Sequence, residues 1–185
     1  MSISNFRLRQ AARQLDYGEV LAYPTEAVYG LGCDPLNENA VRKILELKQR
    51  PMDKGLILIA SDFEQIEPYI KPDDAILERI LPTWPGPVTW IVPVQPWVPN
   101  WLTGKFDSLA VRVTAHPLAK SLCEAYGGPM VSTSANPAGK PPATTSIQVL
   151  KYFSEEELEI VKGDVGELGR ATPIYNALDG SSIRF

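Results

Sequence analysis

Between the apolar residues of one segment and the glycine that opens the next, the chain reads Leu47-Lys48-Gln49-Arg50-Pro51-Met52-Asp53-Lys54-Gly55. Three cations face one carboxylate there. Cations at a helix C-terminus satisfy its last carbonyls and its dipole, which is one reason for their presence. A polyphosphate is the other, because several negative charges in one group need more than one cation, with Arg giving forked bonds and Lys a point charge. The segment Met130-Val131-Ser132-Thr133-Ser134-Ala135-Asn136-Pro137-Ala138-Gly139 runs a strand into three hydroxyls, an amide and a Pro/Gly loop. That is a donor-rich cradle for phosphate or ribose oxygens, or a loop closed by its own Asx turns. In Phe106-Asp107-Ser108-Leu109-Ala110-Val111-Arg112-Val113, Arg112 stands where a core residue is expected. A buried Arg needs a partner: an internal carboxylate such as Glu26, or the carboxylate of a small acid ligand. Tyr23-Pro24-Thr25-Glu26-Ala27-Val28-Tyr29-Gly30-Leu31-Gly32 ends a strand in a polar corner followed by two glycines. Such corners open to ligands in α/β sheets, or are simply tight strand-to-helix turns. Trp84-Pro85-Gly86-Pro87-Val88-Thr89-Trp90 is a rigid turn into a strand and reads as scaffold.

Several chemistries lack their residues. Neither G-x-G-x-x-G nor G-x-x-x-x-G-K-[ST] occurs, so the common nucleotide fingerprints are missing. His116 is the single histidine and no G-x-S-x-G is present, which argues against a serine hydrolase and a multi-His metal site. His116 reads as a helix-start residue. Cys33 and Cys123 are far apart and form no metal-ligand pattern or disulfide framework.

The elements that must position these residues follow from pattern. Ser4 is placed to cap a helix carrying Leu8, Ala11, Ala12 and Leu15 at helical spacing, and Gly18 to end it. Glu19–Tyr23 reads as a strand stopped by Pro24. Asn37 caps a second helix with Val41, Ile44 and Leu45 inside and Pro51 beyond its end. Gly55–Ala60 is a continuous apolar run, the pattern of a central strand covered on both faces. Short helices are expected in Asp62–Tyr69 and Asp73–Leu81, and strands at Val88–Val94, Ser108–Val113 and Pro129–Ser132. Pro117 suits the first turn of a helix reaching Tyr126. Thr145–Tyr152 reads as helix, Leu158–Lys162 as strand, and Ile174–Phe185 as one or two more. Helices and strands alternate irregularly, which points to an α/β domain around a twisted mixed sheet.

The chain has 185 residues, 44% hydrophobic and 22% charged, the composition of one globular domain. No apolar run approaches a membrane span and no signal-like segment opens the chain, so the cytoplasm is the expected compartment. Net charge is −4, from 18 basic and 22 acidic residues, which argues against bulk nucleic-acid binding. Arg42–Lys54 is locally basic, whereas Glu155–Glu167 carries six acidic residues against Lys162 and reads as a solvated face.

Taken in order, Pro24-Thr25-Glu26-x-Val28-Tyr29-Gly30-x-Gly32, Lys48-x-Arg50-Pro51, Pro85-Gly86-Pro87-Val88-Thr89, Ala110-x-Arg112 and Ser132-x-Ser134-Ala135-Asn136-x-x-Gly139 resemble the YrdC-type threonylcarbamoyl-AMP synthases. The resemblance runs from about Ala11 to Arg184 and is to the short form, one YrdC-like domain over 1–185. It implies an open, twisted mixed α/β sheet with flanking helices and a positively charged concave face. It implies the reaction of L-threonine, bicarbonate and ATP to L-threonylcarbamoyl-AMP, pyrophosphate and water, supplying the N6-threonylcarbamoyl modification of adenosine 37 in tRNA. Lys48 and Arg50 are then the catalytic pair on the phosphates. Lys54, Ser108, Ser134, Asn136 and Arg184 complete the ATP site. Thr25, Tyr29, Arg112, Ser132 and Thr172 line the threonine site. Mg²⁺ comes with ATP, held through its phosphates, and no protein metal site is implied. A separate tRNA-threonylcarbamoyl transferase complex is the downstream partner, with weak tRNA contact possible and no membrane. Departures from the family pattern are Ala27 for a common threonine, Ala138 for a frequent serine, Thr172-Pro173 for Ser-Thr and Asn176 for Asp. A different class, an RNA-binding or ribosome-maturation factor using the basic concave face, is the alternative. A carbamoyltransferase acting on another amine is a third.

Overall fold

The computed structural model describes residues 4–156, 158–169 and 171–184, Arg184 by its backbone alone. Helix α1 (Asn5–Asp16) starts on Ser4, whose hydroxyl accepts from the Arg7 amide, and is followed by Gly18 at φ +79°. Strand β1 (Leu21–Pro24) turns back as β2 (Tyr29–Gly32), antiparallel and in register with it. Helix α2 (Glu38–Leu47) is capped by Asn37 and ends at Lys48. Strand β3 (Ile57–Ala60), helix α3 (Asp74–Ile80), strand β4 (Thr89–Pro93), the single turn α4 (Asn100–Thr103) and strand β5 (Ser108–Val113) follow. Helix α5 (Pro117–Tyr126) is capped by His116, and strand β6 (Met130–Ser134) leads to α6 (Ser146–Tyr152), which opens on a Thr145/Gln148 capping box. Short strands β7 (Glu159–Ile160), β8 (Ile174–Asn176) and β9 (Ser182–Arg184) close the order.

These strands form one open sheet in the order β7-β1-β2-β6-β3-β5-β4-β8-β9, with parallel and antiparallel pairs mixed. The apolar run of the sequence, β3, lies in the middle, between β6 and β5. Alternation along each strand sorts side chains onto two faces. Leu58, Ala60, Val111, Val113 and Val131 join one core with Ile44 of α2, Ile76 of α3 and Val149 of α6. Ile59, Met130, Leu21 and Tyr23 point the other way and pack against Leu8, Ala11 and Leu15 of α1 and Leu122 and Cys123 of α5. Helices α1 and α5 cover only part of that second face, and the rest of it bears the cleft described below.

Two expectations need correction. The Tyr23–Gly32 glycines belong to a hairpin strand, not to a strand-to-helix turn, because Gly32 packs where no side chain fits. A Cβ there meets a Tyr23 ring carbon and the Val131 carbonyl oxygen, each at 2.7 Å. The helix expected over Asp62–Tyr69 shrinks to a 3₁₀ turn at Glu67–Tyr69. Asp62 there spends its carboxylate on the Ser61 hydroxyl and the Gln65 amide, a local turn that competes with helix.

Gly32→Ala is therefore expected to cost ~1–3 kcal/mol of stability through overpacking, read as a lower urea midpoint at unchanged slope. Gly30→Ala, where a Cβ meets nothing nearer than 3.4 Å, loses clearly less in the same measurement.

Candidate active site

The uncovered part of the sheet floors a cleft of about 1260 Å³. Ser132, Ile57, Ala110, Ile91 and Asn176 form one cross-strand row along β6, β3, β5, β4 and β8, and all five line it. On β5 the period of two brings Ser108 and Arg112 to the same side as Ala110. One wall is the 48–55 segment after α2. The other is the irregular segment between β7 and β8, which contributes Val165, Gly166, Glu167, Gly169, Ala171 and Thr172.

Lys48 is 6% exposed, and no carboxylate reaches its ammonium among the described residues. Its Nζ donates to the Ser134 carbonyl, lies 3.4 Å from the Ser134 hydroxyl, and reaches the carbonyl and side-chain oxygens of Asn136 at 3.0 and 3.3 Å. Burial, with a smaller push from Arg50, lowers its pKa to about 8. Arg50 donates to the Gly55 carbonyl at 2.9 Å, and its Nε is buried without a partner. Its pKa is also lowered by burial, with Asp53 opposing. Lys54 lines the same wall. Lys48 keeps its charge available to a ligand, because carbonyl and hydroxyl oxygens do not neutralise it.

Arg112 is held differently. Its Nη1 donates to Thr89 at 3.2 Å and Thr172 at 2.8 Å, and its Nη2 lies 3.4 Å from Glu26 Oε2. The internal carboxylate considered from the sequence is therefore present, yet Arg112 still lines the cleft. Of the other residues singled out, Thr25, Ser108, Ser132, Ser134, Asn136 and Thr172 line it as well. Tyr29 does not. It alternates with cleft-facing Gly30, its ring lies in the core with Leu31, and its hydroxyl donates to Gly163 O at 2.6 Å and accepts from Gly163 N at 3.1 Å. The Arg184 side chain lies outside the described residues. His116 is a helix-start residue, its Nδ1 accepting from the Ala119 amide.

Sequence reasoning missed the apolar floor, Ile57, Ala110 and Ile91, although the i, i+2 spacing of Ser108, Ala110 and Arg112 signals a shared face. It also missed the second wall. Glu167 belongs to the acidic stretch read as a solvated face, and the structure places it in the cleft. The signal there is Gly163, Gly166 and Gly169: a Cβ on Gly166 would lie 2.6 Å from the Glu26 carbonyl oxygen, so this wall runs against the Thr25–Glu26 corner.

The Sua5/YciO/YrdC family model, described as "Telomere recombination", matches residues 13–184. The chain belongs to this family. It is 51% identical over 183 residues to a threonylcarbamoyl-AMP synthase of Methylococcus capsulatus, covering 98% of each chain. It is 54% identical over 184 residues to one of Enterobacter sp., covering 96% of this chain and 94% of that one. Among solved structures it resembles P. abyssi Sua5 complexed with L-threonine, at 36% identity and a TM-score of 0.90 over 98% of this chain. It spans about half of that protein, 54% of its chain. The open mixed α/β sheet expected from the motifs is the family's fold.

An anion at Lys48 favours its charged form, so the pKa rises on binding. Near pH 8 the free amine is half protonated, and binding sulfate, an anion that itself carries no proton in this range, is expected to take up about half a proton there, with affinity falling as pH rises from about 7 to 10. Calorimetry in buffers of different ionisation heat measures this. A flat pH dependence without proton uptake puts Lys48 away from the anion.

Proposed function

We propose that this chain is a threonylcarbamoyl-AMP synthase, converting L-threonine, bicarbonate and ATP to L-threonylcarbamoyl-AMP, pyrophosphate and water. One observation carries the reading: a single cleft gathers Lys48, Arg50 and Lys54, a hydroxyl-rich strand end and a buried guanidinium, in a chain half identical along its length to proteins of that name. Threonine's amine and bicarbonate give a carbamate, whose oxygen attacks the α-phosphate while pyrophosphate leaves. Lys48 and Arg50 stabilise the charge on the phosphates, and Lys54, Ser108, Ser134 and Asn136 hold the nucleotide. Arg112 meets the threonine carboxylate beside Thr25, Ser132 and Thr172. The work is positioning and charge stabilisation, so no protein nucleophile is needed.

Mg²⁺ enters with ATP, carried by phosphate oxygens and water. The Ser108, Ser132 and Ser134 hydroxyls around the cleft are hard oxygen donors that suit such an ion. The concave face is electropositive at its Lys48–Lys54 wall. The product passes to a tRNA-threonylcarbamoyl transferase complex in the cytoplasm, with any tRNA contact weak. No helix among the described residues is long and apolar enough to cross a membrane. A cleft with two walls and an apolar floor suits small substrates better than a nucleic-acid backbone, which needs a broad basic footprint.

Pyrophosphate release from ATP is expected to require both threonine and bicarbonate. Release that ignores either one overturns the reading. Arg50→Ala is expected to lower it about a hundredfold or more with the fold intact. Lys48→Ala is expected to do the same but also frees the Ser134–Asn136 loop, so Arg50→Ala is the cleaner variant. Wild-type turnover in Arg50→Ala removes it from the phosphate site.

A second outcome concerns the side-chain pocket, where Ala27 lines the cleft beside Thr25 and Val28. Threonine and serine differ by one methyl, worth about 10–200-fold in an apolar niche. Threonine is expected to be preferred within that range in parallel titrations, and equal use of serine sinks the assignment of this corner as the threonine side-chain site.

A further inference from the structure

Glu26 is a carboxylate buried beneath the proposed amino-acid site without lining it. It is 7% exposed and Arg112 is 4% exposed. Arg112 lines the cleft, whereas Glu26 lies behind it. The other ion pairs among the described residues join side chains that are a third to a half exposed. The Glu26–Arg112 pair is therefore the buried one among them, although Glu26 Oε2 makes no hydrogen bond and meets Arg112 only as an ion pair. Glu26 Oε1 accepts from the Thr114 hydroxyl at 2.6 Å and from the Ala115 amide at 3.2 Å, which aims Oε2 at Arg112 Nη2. Thr114 Oγ1 in turn accepts from the His116 amide at 3.1 Å, which fixes its own orientation.

The same residue fastens the second wall of the cleft. The Leu168 amide donates to the Glu26 carbonyl at 3.3 Å, and the Gly166 amide donates to the Thr25 carbonyl at 2.9 Å. That wall ends at Thr172, which accepts from Arg112 Nη1. The guanidinium is thus gripped from β4 by Thr89, from the hairpin corner by Glu26 and from the wall by Thr172. Its Nε remains buried with no partner. Stability alone does not call for this arrangement, since apolar residues of similar volume fill such positions as well as an ion pair does. A ligand does call for it, because a guanidinium locked in one orientation binds a carboxylate without first losing rotamer freedom.

We propose that Glu26 is a positioning residue for the amino-acid substrate, acting through Arg112: it locks the guanidinium and ties the Gly166–Leu168 wall to the same point, so that the guanidinium meets the incoming carboxylate in one orientation. This rests on the reading of Arg112 as the carboxylate site. The step involves no proton or group transfer by Glu26, so its loss weakens amino-acid binding rather than chemistry on ATP.

The test uses the full chain and two readouts. The first is the ¹⁵N NMR signal of the Arg112 Nε–H, assigned by its disappearance in Arg112→Lys. It is expected to be sharp and slowly exchanging in the wild type and to exchange about tenfold faster or broaden in Glu26→Gln. The second is pyrophosphate release titrated separately with threonine and ATP. Glu26→Gln is expected to raise the threonine KM about tenfold with the ATP KM within about twofold. Equal rises in both KM values, or a fall in melting temperature with neither changed, make Glu26 a purely structural residue and overturn the proposal. An unaltered Nε–H signal overturns it as well. Should Glu26→Gln not fold, Thr114→Val removes the hydroxyl that aims Oε1, and Thr114→Ser restores it. A threonine-specific KM rise in the first that the second reverses supports the proposal, and no rise in Thr114→Val overturns it. A wild-type protein that releases no pyrophosphate with threonine defeats the adenylate reading instead, and the NMR signal then decides the role of Glu26.

Discussion

Everything at this site depends on one face of the sheet being only partly covered. A sheet face must be buried or made polar, and α1 and α5 between them bury one portion, through Leu8, Leu15, Leu122 and Cys123. Where their cover stops, the strands change chemistry without changing direction. On β6 the same face runs from Met130 in the core to Ser132 and then Ser134 in the cleft. On β3 it runs from Ile59 in the core to Ile57 on the cleft floor. The opposite face has no such break: α2, α3 and α6 keep Leu58, Val111 and Val131 buried. A doubly covered half of the sheet thereby carries an open half on the same strands.

Two cations are buried at this open half by opposite means. Lys48 is satisfied by carbonyl and hydroxyl oxygens, which bond the ammonium but leave its charge uncancelled. Desolvation therefore acts against it, and its pKa falls to about 8. Arg112 has its own carboxylate, Glu26, and its charge is largely met inside the protein. The first arrangement suits a ligand of high negative charge that restores the ammonium. The second suits a ligand with one carboxylate, recognised by orientation more than by net charge. The apolar row Ile57, Ala110 and Ile91 separates the two along the floor.

The walls differ as much as the charges. The wall after α2 follows directly in sequence from a capped helix, and the chain order alone brings Lys48, Arg50 and Lys54 to it. The wall between β7 and β8 has no regular structure among its described residues. It is held by backbone bonds to distant partners: Gly163 to Tyr29, Gly166 to Thr25 and Leu168 to Glu26. Tyr29 thus belongs to the site's support. Its hydroxyl is occupied by that wall, and Gly30 beside it faces the cleft in its place.

Most elements were legible in the residues because their causes are local. Ser4, Asn37 and His116 cap helices by bonding amides three residues on, and Ser108–Val113 alternates with a period that belongs to any half-covered strand. The cations, the hydroxyls after β6 and the unusual Arg112 were equally visible, because a charged or polar residue inside an apolar pattern marks itself. The tertiary structure alone decided three other matters. It put Tyr29 in the core and Gly30 in the cleft, since a strand's face follows from what packs against it. It brought Glu167 and Thr172 to the cleft that holds Arg112, more than fifty residues away in the chain, with the Gly166 and Leu168 amides, which carry no side-chain signature, fastening that wall. And it decided that Glu26, one of the partners the sequence left open for Arg112, does pair with it, across 86 positions that the packing of β5 against the hairpin corner brings within reach.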